Sequence, residues 1–159
     1  MKKHGLQICL AAAVLACALL TVFLVNRKSN VESLEPAVTE EPQYDWGITV
    51  QTSYVTELGL TLTVAQSGGE PPERDIAYQG VPYTIEVQRD DAWYVLPRIG
   101  EFGDVDTIAQ TVPAGGELTD VVNWSRVYGK LPNGVYRLKF HLYVDDRDMQ
   151  PYYAYFEVE

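Results

Sequence analysis

From Trp46 to the C-terminus the chain alternates apolar and polar residues with a period of two, broken at short intervals by glycine, proline and paired acids. "WGITVQTSYV" alternates loosely. "LGLTLTVAQ" puts Leu58, Leu60, Leu62 and Val64 on one face and Thr61 and Thr63 on the other. Ser67 to Gly80, rich in glycine and proline, reads as a long loop. "VPYTIEVQRDDAWYVLP" predicts a hairpin in which Tyr83, Ile85 and Val87 face inward, the chain turns at Asp90–Asp91, and Trp93 to Leu96 returns. "TIAQTV" and "LTDVVNW" read as strands around the turn "PAGGE", and "SRVYG" as an irregular link. "GVYRLKFHLYV" places Tyr136, Leu138, Phe140, Leu142 and Val144 on one face. After the turn "DDRDM", "YYAYFEVE" turns Ala154, Phe156 and Val158 inward.

Short strands at regular spacing, with no helical period after residue 45, predict an all-β fold: an immunoglobulin-like antiparallel sandwich of two sheets. In such sandwiches a tyrosine near the start of the penultimate strand folds back, and its hydroxyl bonds the backbone a few residues upstream. "LPNGVYRL" has that arrangement in Leu131, Gly134 and Tyr136, with Leu138 where antibody-type domains carry cysteine. The alternative is an ordinary strand tyrosine after a turn.

The N-terminal pattern is of another kind. After Lys2 and Lys3, Leu6 to Val25 is apolar except for Gln7 and Thr21, and such a run would rise about 30 Å as a helix, enough to cross a bilayer. Residues 1–28 therefore read as one N-terminal transmembrane helix, a signal anchor leaving the C-terminal domain extracytoplasmic at the cell membrane. Lys2 and Lys3 favour a cytoplasmic N-terminus, Arg27 and Lys28 mildly oppose it, and the acidic remainder favours export. "FLVNRKSN" offers no small-x-small cleavage site. "VLAC" resembles a lipobox, which makes lipidation at Cys17 the alternative, although "ALLTVFLV" would then follow the lipidated residue. Residues 29–43, acidic and proline-containing, read as an extended stalk, and 44–159 as the sandwich.

Charge narrows the partners. None of the 22 acids precedes Ser29, so the chain from there on sets 8 basic against 22 acidic residues, a formal balance of −14. Such a surface repels phosphates, which argues against nucleic acid. Both cysteines, Cys9 and Cys17, lie in the apolar run. The predicted sandwich thus has no disulfide, no cysteine nucleophile and no thiolate metal site.

Further residues carry a family resemblance. Gly80, Pro82 and Tyr83, then Trp93 and Tyr94, then Pro113 and Gly115 are followed by the run Trp124, Tyr128, Gly129, Leu131, Pro132, Gly134, Tyr136 and Arg137. In this spacing, from about Leu58 to Tyr143, the chain resembles the bacterial immunoglobulin-like domain family of Gram-positive exported and membrane-anchored proteins. The resemblance implies a fold and a location. It carries over no catalytic residue and no cofactor.

Candidate chemistry is sparse. His4 precedes the anchor and His141 falls on the outward side of its strand, so neither a triad nor a histidine metal centre has its partners. Ser53, Ser67 and Ser125 lack nucleophile-elbow glycines. Asp104 and Asp106, with Asp145 to Asp148, would suit calcium between loops, but solvated turns account for them better. The sharper feature is outward and aromatic: Tyr143, Tyr153 and Tyr155 interleave with Lys139, His141 and Glu157 on the last hairpin. Tyrosine with a few charges suits protein recognition, and the same pairs also stabilise a bare sheet surface. The expected function is non-catalytic: a cell-surface or envelope interaction module with an unidentified protein or envelope ligand. The alternative is an accessory or sensor domain regulating a membrane partner.

Overall fold

The computed structural model describes residues 34–103, 109–144 and 148–159. The chain divides into two units, 1–34 and 35–159, and the second is described below. The predicted anchor, Cys17, Asp104, Asp106, Asp145 and Asp146 lie outside the described residues.

Ten strands and no α-helix form among the described residues. They are β1 (Glu35–Pro36), β2 (Ile48–Thr56), β3 (Gly59–Gln66), β4 (Ile76–Tyr78), β5 (Thr84–Arg89), β6 (Ala92–Val95), β7 (Gln110–Val112), β8 (Glu117–Asn123), β9 (Gly134–Tyr143) and β10 (Met149–Val158). One sheet runs β2-β3-β8. In the larger sheet β9 pairs with β10 along one side. Its other side carries β5, β6 and β1 in succession, and at its far end β4 with β7. Every pairing among these strands is antiparallel.

Alternation decides the packing. Leu60, Leu62 and Val64 from β3 meet Ile85 and Val87 from β5, and Tyr136, Leu138, Phe140 and Leu142 from β9, in a common buried layer. β10 adds Tyr152, Ala154, Phe156 and Val158. Trp124, sealed from solvent, stacks on Phe156 at 5.2 Å, and Phe156 stacks on Tyr136 at 5.6 Å. Each such contact contributes about 0.5–1.5 kcal/mol beyond area burial. The Trp124 indole N–H donates to Glu57 O at 3.0 Å, so the ring's polar edge is satisfied inside the core.

Local chemistry sets the corners. Asp90 and Asp91 take positive φ (48° and 63°), the twist a two-residue hairpin between β5 and β6 needs. Tyr136 Oη donates to Pro132 O at 2.7 Å, and burial raises the pKa of its hydroxyl. Gly134 leaves room for that ring, since a Cβ there would stand 3.3 Å from it.

Three details differ from the sequence reading. Ile76–Tyr78 forms a strand inside the stretch read as a loop, because three residues suffice to pair with β7 and β9. Leu58 is exposed rather than inward, since it sits in the turn before β3 and not on the strand. The end of the segment read as a stalk lies on the larger sheet. Glu35 and Pro36 pair with Val95 and Tyr94 of β6, and Ala37 N donates to Trp93 O at 2.9 Å.

Candidate functional site

The outward side of the larger sheet gathers the polar and aromatic residues of β5, β6, β9 and β10. Register brings Arg137 beside Glu86 on one flank and Tyr155 on the other, while Lys139 faces Tyr153, His141 faces Pro151 and Tyr143 faces Met149.

Arg137 is the centre of this face. Its Nε donates to Glu86 Oε2 at 2.5 Å and a terminal N–H donates to Thr39 Oγ1 at 2.8 Å. The guanidinium carbon lies 4.5 Å from the Trp93 ring centre and 4.3 Å from that of Tyr153. Two rings and a carboxylate thus replace the water an arginine loses on burial. Tyr155 meets Trp93 edge-on at 5.7 Å and lies 6.5 Å from Tyr153, yet 56% of its surface stays open to solvent. Val135, also exposed, flanks it diagonally on β9, because Arg137 rather than Val135 sits directly opposite Tyr155.

The segment leading into the domain covers part of this face. Glu40 accepts from Lys139 Nζ at 2.7 Å, and its backbone N–H donates to Tyr153 Oη at 3.0 Å. Lys139 holds the Glu40 carboxyl below the usual carboxylate range, with a smaller contribution from His141. His141 is half-buried rather than free on the surface. Burial first, then Lys139, lowers its imidazole pKa, and Glu40 opposes them. Farther on, Gln43 N and Tyr44 N both donate to the buried Gln150 Oε1, at 2.5 and 3.2 Å.

A shallow groove of about 260 Å³ opens beyond that point, lined by Pro42, Tyr44, Asp45, Trp46, Ile48 and Tyr152. Tyr44 and Trp46 stack at 6.3 Å along it, and burial pushes the Tyr152 hydroxyl up to about 12, with Asp45 adding to the shift. Among the described residues no group of three or more His, Cys, Asp or Glu is placed to hold a metal ion. No helix among them is long and apolar enough to cross a membrane.

Sequence reasoning placed Tyr143, Tyr153, Tyr155, Lys139 and His141 on one outward face. The register brings Lys139, Tyr153 and Tyr155 around Arg137, while Tyr143 and His141 lie toward the far end of the hairpin. Glu86, Trp93, Thr39 and Glu40 escaped it. Glu86 left no signal, because alternation puts it on the outward side between Ile85 and Val87, where a solvated acid is ordinary.

No curated protein and no solved structure matches the chain. A family model described as Bacterial Ig-like domain matches residues 45–156, most of the chain and nearly all of the two-sheet unit. With its sandwich and this match together, the chain belongs to the bacterial Ig-like domain family.

Proposed function

We propose that the protein is a non-catalytic interaction module, held at a membrane by residues 1–28 and presenting its sandwich outside the cytoplasm. Bacterial Ig-like domains are generally not enzymes. The observation that carries the reading is the outward face of β9 and β10. The exposed Tyr155, braced by Trp93 and Tyr153 over a buried Arg137, is a rigid aromatic platform with a charged border. Rigid aromatics supply contact area at low entropic cost, which is why they anchor protein interfaces. The apolar run from Leu6 to Val25, with basic residues on both sides, supports the tether.

The experiment is capture of envelope components by immobilised fragment 35–159, compared with the same fragment carrying Tyr155→Ala. A component retained by the first and lost from the second supports the platform. Equal capture by both removes it.

A further inference from the structure

Residues 35–43 form a strap across the outward face. It pairs with the edge of β6 at Glu35 and Pro36, reaches Arg137 and Lys139 of β9 at Thr39 and Glu40, and arrives at Gln150 of β10 with Gln43. Between Pro36 and Gln43 the strap crosses three inter-strand steps of about 4.8 Å and also advances along the sheet from the level of Phe156 to Gln150, so the crossing segment runs nearly extended.

What holds the strap is unusual for part of a fold. None of residues 35–43 is buried, and Val38, its bulkiest apolar side chain, is 72% exposed. The attachments are all polar: backbone groups at the β6 edge, a hydroxyl from Thr39, a carboxylate and an N–H from Glu40, and the N–H of Gln43. One receiving group is fixed independently of it: Arg137 is locked by Glu86 and two rings, while Lys139 meets the strap at Glu40, whose own side chain is 52% exposed. The family match begins at residue 45, so the strap lies outside the shared domain.

From this contrast, a pre-set surface under a weakly held cover, we infer that the strapped face is a docking groove for an extended acidic segment of a partner protein. The strap is its intramolecular placeholder. The inference rests on the interaction reading above and names the partner's chemistry. Extended shape follows from the β6 edge, which accepts backbone bonds as sheets do when a foreign strand is added. Acidic character follows from Lys139, whose ammonium takes the Glu40 carboxylate of the strap while the Arg137 charge is already met by Glu86. The tether keeps the strap at a high effective concentration, so the partner segment gains access when the strap is weakened or outcompeted.

The test uses the full chain in detergent micelles and a fluorescent synthetic peptide of residues 34–43, followed by anisotropy. Glu40→Lys in the chain sets like charges against each other at Lys139 and loosens the strap without touching the groove. The loosened chain should bind the parent peptide about tenfold tighter or more than the unaltered chain does. A peptide carrying Glu40→Lys should bind neither, and Lys139→Gln in the loosened chain should abolish binding while near-ultraviolet circular dichroism stays unchanged. Equal binding to loosened and unaltered chains overturns the proposal. So does an unaltered chain that is dimeric and becomes monomeric on adding peptide, because the groove then belongs to a second copy's strap. Tyr155→Ala separates the two readings, since Tyr155 touches neither Thr39 nor Glu40. Envelope capture lost with peptide binding intact sustains both readings. Peptide binding without any envelope capture fails the platform alone, and capture without peptide binding fails the groove alone.

Discussion

The guanidinium of Arg137 donates to the carboxylate of Glu86 at 2.5 Å, and each side chain keeps only 2% of its surface open to solvent. A pair sealed this way costs little while complete and much when halved, because the survivor is left charged without water. Arg137→Met in fragment 35–159 should lower unfolding stability by about 3–5 kcal/mol, and Glu86→Leu alone by a similar amount. The double replacement should recover most of the loss. Denaturant midpoints of the three variants check this, and a double variant as weak as either single one would contradict it.

Tyr136→Phe removes the hydroxyl that bonds Pro132 O and leaves the ring stacked on Phe156. A loss of about 1 kcal/mol is expected. Urea unfolding with an unchanged midpoint would show that the corner contributes packing alone.

Acid should weaken the folded domain in two stages, of which only the second, at Glu40, loosens the strap, because a protonated His141 attracts the Glu40 carboxylate. His141 has its pKa lowered from 6.5 in the folded chain, mainly by burial and then by Lys139. Its contribution is therefore full above that ordinary value and is lost as pH falls through the lower folded one. Glu40, lowered from 4.5 chiefly by Lys139, behaves alike at more acid pH: full above 4.5, lost below its folded value. Nuclear magnetic resonance titration of the Lys139 and Glu40 signals follows both stages. His141→Gln should erase the first and keep the second.

At the alkaline end the sign reverses. Burial raises the hydroxyls of Tyr78 and Tyr83 far above 10.0, with Asp120 adding at Tyr78 and Tyr128 at Tyr83, and pushes Tyr152 up to about 12. The folded state keeps protons that the unfolded chain releases, so stability should fall as pH rises above 10. Ultraviolet titration should show part of the phenolate absorbance developing only well above pH 10 in the folded chain.

Much of the fold was legible because an antiparallel strand with one wet side writes its orientation into every second residue. Leu60, Leu62 and Val64, or Ala154, Phe156 and Val158, are buried in that rhythm. Three-residue β4 and two-residue β1 are too short to carry a period. The Arg137–Thr39 bond joins residues 98 apart, and Glu86–Arg137 depends on which strands become neighbours. Such relations arise from register and from the return of a distant segment, neither of which leaves a local pattern. The strap also broke a compositional habit. Acidic, proline-bearing stretches usually stay solvated, but here Lys139 and the β6 edge offered partners.

The two sheets are clasped by Trp124, Phe156 and Leu138 rather than by sulfur. Aromatic contacts yield together when an antibody-type bridge would hold. A pull between the N-terminal segment and a bound partner meets no covalent crosslink anywhere from Glu35 to Glu159. Once the sandwich gives way, every one of those residues pays out its ~3.3–3.6 Å of length. Stretched single molecules should therefore lengthen by the whole domain in one step, in oxidising and reducing buffer alike.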